Sequence, residues 1–291
     1  MFDSKIYIQR RKLLMEQVKE GVIVFLGNEE SPMNYLANTY SFRQDSSFLY
    51  FFGLDTPCLA AILDADKNKE ILFGDDISLE DIIWMGYLPS VKERALKAGV
   101  RDTLPLSELE KTIKLALEQG RKIHYLPPYR PETSLKIESL LGIPSQATKA
   151  KASEDLIKAV VAQRSVKTKE EIEEIEIALG ITYEMYITAM KATMPGIYER
   201  EIAGEIEGIA LSLGGHPAFP TILTINGQIL HNQFHGNLLE KGRLMVVDSG
   251  AESSLHYAGD ITRTIPVSGK FNQKQKEIYE IVLNAQQTAI K

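Results

Sequence analysis

The chain has 291 residues, enough for two hydrophobic cores. Apolar residues make up 44% and charged residues 25%, ordinary globular proportions that exclude an extensively disordered chain. The net charge of -6 excludes the basic stripe that a nucleic-acid partner requires, and no apolar run approaches a membrane span, so neither nucleic acid nor a membrane is expected as a partner.

In chain order, "IYIQRRKLLMEQVKE" has helical spacing and passes through Gly21 into the strand-like "VIVFLG". The aromatic "SSFLYFFG" reads as a strand, "CLAAILDAD" as a strand and turn, and "KEILFGDD" as another strand. Ser78 opens a capped helix in "ISLEDIIWMG", "LSELEKTIKLALEQG" is a helix closed by Gly120, and "KIHYLPP" is a strand stopped by two prolines. Alternating strands and helices predict an α/β domain over residues 1–152.

A second unit is expected over residues 153–291. "SEDLIKAVVAQRS" is apolar at helical spacing. Thr168 and Glu171 stand in capping-box register at the head of a long amphipathic helix, and Tyr198 to Leu213 forms another, stopped by Gly214 and Gly215. The pattern then changes to the strands "TILTI", "RLMVVD" and "AGDITRTIPV" before a last helix in "NQKQKEIYEIVLNAQQTAIK". Helices followed by antiparallel strands predict an α+β domain.

The lone Cys58 excludes an internal disulfide, suits a reducing compartment, and reads in "DTPCLAAIL" as a buried thiol. The opening residues carry scattered charges and no apolar h-region, so a cytoplasmic location is expected.

Two carboxylates stand out. Asp248 ends an apolar run, and in "GDITRT" alternation places Asp260, Thr262 and Thr264 on one face with Ile261, Arg263 and Ile265 on the other. If the strands pair, both carboxylates face one side, where they need protons, a basic partner or a cation. An all-oxygen set suits Mn, Mg or Ca. The competing reading makes each aspartate an ordinary turn residue.

Four of five histidines, His216, His231, His235 and His256, lie in the same part of the chain. His231 at the end of "QILH" could donate to an oxygen that gains negative charge near a metal. His235 and His256 read as solvated loop residues, and His124 as a packing residue of the first domain. "FRQD" at 42–45 reads equally as a ligand contact and as a surface turn. No P-loop, dinucleotide fingerprint, nucleophile elbow or zinc-helix pair occurs.

The segments "FRQDSSFLYFFG" (42–53), "RSVKTKEEIEEI" (164–175), "GQILHN" (227–232) and "VVDSGAESSLHYAGDITRTIPVSGKF" (246–271) resemble the Xaa-Pro aminopeptidases and proline dipeptidases of the pita-bread fold. The resemblance implies an aminopeptidase P-like N-terminal α/β domain followed by a partial α+β pita-bread domain. It implies that Asp248 ligates one metal of a dinuclear site, usually manganese, that Asp260 bridges both, and that His231 steadies the substrate and the tetrahedral intermediate. Arg263 would support the site from behind. Substrates would be peptides with proline at the second position.

Two departures from the family pattern are visible. Asp248 and Asp260 are separated by one residue more than in the family, which lengthens a loop without moving either strand. Nothing after Asp260 supplies the later histidine and glutamate ligands, since "SGKFNQKQKEIYEIVLNAQQTAIK" has no histidine. The chain is therefore expected to be the first half of the catalytic domain with its N-terminal domain, inactive alone and prone to form homo-oligomers, a dimer first, through uncovered surface. A strict dipeptidase, a metal-free creatinase-like C–N hydrolase and a non-catalytic scaffold are the alternatives.

Overall fold

The computed structural model describes residues 1–291, which form two compact units, Met1–Lys167 and Thr168–Lys291. In the first unit the elements run α1 (Ser4–Val18), β1 (Val22–Leu26), α2 (Ser46–Phe52), β2 (Ala60–Asp64), β3 (Lys69–Phe73), α3 (Leu79–Met85) and α4 (Val91–Lys97). They continue with β4 (Asp102–Leu104), α5 (Glu108–Glu118), β5 (Ile123–His124), α6 (Pro131–Leu141) and α7 (Glu154–Ser165).

The five strands form one mixed sheet in the order β4-β3-β2-β1-β5. β1 pairs antiparallel with β2 and parallel with β5. Both faces of the sheet are covered, which is why β1 reads as an unbroken apolar run. Ile23 and Phe25 join a core with residues of α1, α2, α4 and α7, while Val22 and Val24 pack with Leu109, Ile113 and Ala116 of α5.

Three expectations are corrected here. "SSFLYFF" is helical: the Asp45 carboxylate accepts from the Ser47 and Phe48 N–H groups, and Gly53 closes the helix in the left-handed conformation at φ 65°. That cap and stop outweigh the strand preference of the aromatic residues. The helix "EDLIKAVVAQRS" belongs to the first unit, because Leu156, Ala159 and Val160 of α7 lie in its core; the first unit thus extends beyond residue 152. Cys58 is exposed, in a turn at φ 58° that turns its side chain out of the strand that follows.

The second unit contains α8 (Lys169–Ala192), α9 (Glu199–Ser212), β6 (Ile222–Thr224), β7 (Leu244–Ser249), β8 (Ile261–Pro266) and α10 (Gln273–Ile290). Its antiparallel sheet has the order β6-β7-β8. The Thr168–Glu171 capping box starts α8 where the sequence places it. One sheet face packs Leu223, Met245, Val247 and Ile265 against Ile181, Met185 and Ala189 of α8 and Ile202 and Ile206 of α9. The opposite face carries Asp248, Thr224, Thr262 and Thr264 beside Ile222 and Val246.

Candidate metal centre

Alternation along β7 buries Met245, Val247 and Ser249 and leaves Val246 and Asp248 half-buried on the other side. In the β7–β8 register Val246 lies opposite Thr264, Asp248 opposite Thr262, and Ser249 opposite Ile261. Asp260 precedes β8 by one residue, so it shares a face with Thr262 and stands diagonally across from Asp248. Asp248 is held in place by Thr262, whose hydroxyl donates to its Oδ1 at 3.0 Å. Arg263 is exposed on the opposite alternation, its guanidinium donating to the Thr262 carbonyl at 2.8 Å.

Helix α8 fixes the strand pair from below. The Tyr186 hydroxyl accepts from the Ser249 N–H at 3.2 Å and lies 3.0 Å from the Val247 carbonyl, with the Ile261 carbonyl also against it. Burial, with the negative charges of Asp248 and Asp260 nearby, pushes this phenol far above its ordinary range, against the Ser249 hydrogen bond that acts the other way. It therefore stays a neutral donor that ties both strands to the helix. One turn earlier, Thr182 Oγ1 donates to the Ala178 carbonyl at 2.8 Å and accepts from the Ala251 N–H at 3.0 Å.

This docking is possible because two positions lack a side chain. A Cβ on Gly250 would meet the Gly259 carbonyl oxygen at 1.8 Å, and one on Gly259 would meet Thr182 Oγ1 at 2.5 Å.

His231 lies in an exposed turn between β6 and β7. Its neighbour Asn232 donates through Nδ2 to Thr224 Oγ1 at 3.2 Å, and Thr224 pairs with Val246, on the face that carries Asp248. The same loop is anchored by the fully buried Glu199 at the start of α9, whose carboxylate accepts from the Ile225 N–H at 2.8 Å and from Asn237 Nδ2 at 2.9 Å. The fold thus tethers the His231 loop to the carboxylate face.

The other histidines have different duties. His235 is no free loop residue: its Nε2 lies 3.0 Å from the Thr221 carbonyl. His256 is likewise engaged, its Nδ1 2.6 Å from Glu252 Oε2. His216 contributes only its carbonyl, which accepts from the Glu252 N–H at 2.8 Å.

The carboxylate oxygens of Asp248 and Asp260 suit a hard divalent cation, which takes about six oxygen donors. The chemistry fits and the number does not, because the chain contains no group of three or more His, Cys, Asp or Glu side chains able to hold a metal ion. Asp248 and Asp260 are two oxygen donors on one sheet face, with no third acidic, histidine or cysteine side chain grouped with them.

Comparison with known proteins places both units. Residues 7–124 match the aminopeptidase P N-terminal domain, and residues 173–291 match the metallopeptidase family M24. The chain is 30% identical to the Xaa-Pro aminopeptidase of Escherichia coli, over 97% of this chain and 66% of that protein. A solved structure of Escherichia coli aminopeptidase P superposes with a TM-score of 0.84 at 30% identity, covering 99% of this chain and 68% of the other.

The chain belongs to the aminopeptidase P family. Proline aminopeptidase P II from Yersinia pestis is similar in fold as well, with a TM-score of 0.86 at 28% identity over 99% of this chain. The chain spans about two thirds of its curated aminopeptidase P relatives, 66% of the Escherichia coli protein and 65% of that from Haemophilus influenzae. Within this aminopeptidase P-family chain, Tyr186, Thr182, Glu199 and Glu252 are the supporting residues that sequence reading does not single out. Each reads locally as an ordinary helix or loop residue, and only the tertiary fold shows what it touches.

Proposed function

We propose that this protein acts as an Xaa-Pro aminopeptidase, cleaving the bond between an N-terminal residue and a following proline. The observation that carries the reading is the placement of Asp248 and Asp260 on one sheet face in a chain of this family, with the His231 loop bonded to that face at Thr224. The substrate class follows the names of the relatives, Xaa-Pro aminopeptidases. Manganese is the proposed metal, as two divalent ions.

When bound, such ions supply a water of low pKa and polarise the substrate carbonyl. The chain's own contribution is positional. Thr262 orients Asp248, Tyr186 and Thr182 keep β7 and β8 rigid beneath both carboxylates, and His231 presents an exposed imidazole to donate to the carbonyl oxygen as it gains charge. Asp248 and Asp260 alone leave the donor set short, so residues 1–291 by themselves are proposed to be inactive.

Self-association as a dimer is part of the same proposal. Helix α3 buries none of its residues and exposes Leu79, Ile83, Trp84 and Met85 at 73–81%, an apolar surface suited to a second copy. A cytoplasmic setting is supported by the lone Cys58, and no helix is long and apolar enough to cross a membrane.

The test is metal content together with hydrolysis of an Xaa-Pro peptide in added manganese, on residues 1–291 and on the complete gene product. Metal and turnover in the complete product, with turnover missing from residues 1–291, support the reading. Neither in the complete product overturns it.

A further inference from the structure

The hairpin between the two carboxylates carries its own locking device. β7 and β8 pair with Asp248 opposite Thr262 and Ser249 opposite Ile261, and the same register continues without a slip to Ala251, whose carbonyl accepts from the Gly259 N–H at 2.8 Å, and to the bridge between Glu252 and Ala258. What happens beyond Glu252 therefore decides which residue faces Asp248. A slip of one residue would send Asp260 to the helix side of the sheet and break the carboxylate pair, because side chains alternate with a period of two.

The tip is residues 253–257, and three features close it. The Ser253 N–H donates to the Tyr257 carbonyl at 2.8 Å, and the His256 N–H to the Ser253 carbonyl at 2.9 Å. The Tyr257 hydroxyl donates to Glu171 Oε1 of α8 at 3.0 Å. His256 adopts φ 62°, a left-handed conformation that a residue with a Cβ disfavours, and its ring meets Glu252 Oε2 at 2.6 Å with both side chains nearly buried, 11% and 7% exposed. A glycine or asparagine would take that backbone shape more readily; the imidazole is kept where its Nδ1 reaches the carboxylate at the base of the turn.

We propose that Glu252 and His256 form a clasp that holds the β7–β8 register and so positions Asp260 relative to Asp248. The clasp rests on the metal-site reading above for its purpose, and on the hairpin geometry for its existence. Neither residue touches substrate; both act through the two aspartates, as positioning residues.

The test compares His256→Gly, which relaxes the backbone and removes the ring, with His256→Asn, which tolerates the same φ and places an amide N–H where Nδ1 stands. Amide hydrogen exchange is measured by NMR on the full 291-residue chain. In His256→Gly the Gly259 and Ser253 amides should exchange about tenfold faster or more, with core amides such as Met185 unchanged, and His256→Asn should return them close to the parent rates. Glu252→Ala, which removes the acceptor, should resemble His256→Gly. Protection in His256→Gly equal to the parent, or no rescue by asparagine, overturns the clasp.

A parallel titration with Mn2+ reads broadening of the Asp260 and Thr262 amides. Weaker Mn2+ binding by about 10–100-fold in His256→Gly ties the clasp to the carboxylates. Should Mn2+ broaden neither amide in the parent chain, the two aspartates alone are too few donors to hold the ion, and exchange at Gly259 decides the clasp by itself.

Discussion

The Tyr186 hydroxyl and the Ser249 N–H are hydrogen-bonded at 3.2 Å, and the same oxygen sits 3.0 Å from the Val247 carbonyl, so one side chain of α8 serves the backbone at the end of β7. Tyr186→Phe keeps the buried ring and removes that service. It should cost about 1–3 kcal/mol, the penalty for leaving buried backbone groups unpaired, read from urea unfolding of the second unit. An unchanged midpoint would show that the strand ladder holds without the phenol.

Close approach at Gly259 makes a second prediction. Gly259→Ala places a methyl 2.5 Å from Thr182 Oγ1 and 3.0 Å from the Ala178 carbonyl, and should destabilise by about 1–3 kcal/mol through displaced backbone. Gly180 in the interior of α8 has open space around its Cβ position, so Gly180→Ala should stabilise by about 0.5–1 kcal/mol. Thermal unfolding of the two variants should therefore move in opposite directions.

In the first unit, His124 is buried with Nδ1 2.6 Å from Ser153 Oγ and Nε2 3.1 Å from the Glu20 carbonyl, an arrangement that fits the neutral ring with its proton on Nε2. Burial holds its pKa below the ordinary 6.5. The unfolded chain therefore binds a proton at a pH where the folded chain does not, so stability is full above 6.5 and falls as pH drops through 6.5 toward the folded value. His124→Asn should flatten the pH dependence of first-unit unfolding in that window; an undiminished slope would assign it to other groups.

Asp248→Asn and Asp260→Asn each remove a charged oxygen donor without changing shape. In the complete gene product each should lower divalent-metal affinity by at least about 100-fold, since even residues that only orient ligands are worth about 10–100-fold. Metal content after dialysis checks this. Full retention of metal in both variants would place the ion elsewhere.

Replacing Ile83 and Trp84 by lysine and serine tests the exposed face of α3. Both side chains are about 80% exposed, at 81% and 80%, so the fold should be unaffected while sedimentation shifts toward the monomer. The same sedimentation in parent and variant would place any self-association on a different surface.

How much of this was legible in the sequence varies with the range of the interaction. The α8 cap is local chemistry, Thr168 and Glu171 three residues apart, and could be read directly. Alternation grouped Asp260 with Thr262 and Thr264, and the face they share with Asp248 followed once the two strands were taken to pair. The segment Ser46–Phe52 misled because its aromatic residues favour strands, while the single carboxylate that decides its helix, Asp45, lies outside the run. His256 and Cys58 misled for a similar reason: exposure and burial in a turn depend on a left-handed backbone, which side-chain type does not announce. The Glu199 anchor joins a helix to a loop many residues later, and no periodicity encodes such a tether.

That tether has a dynamic consequence. Glu199 stands in the first turn of α9, and the two ends of the loop that follows β6, at Ile225 and Leu239, are buried in the core that α9 shares with α8 and the sheet. Between those buried ends, the segment bearing His231 can open only by giving up the Asn232 bond to Thr224 and the bonds of His235 to the Thr221 carbonyl and the Arg200 N–H, with the sheet left intact. Asn232 and His235 are thus the positions at which this exposed segment can be loosened without disturbing the buried ends of its loop.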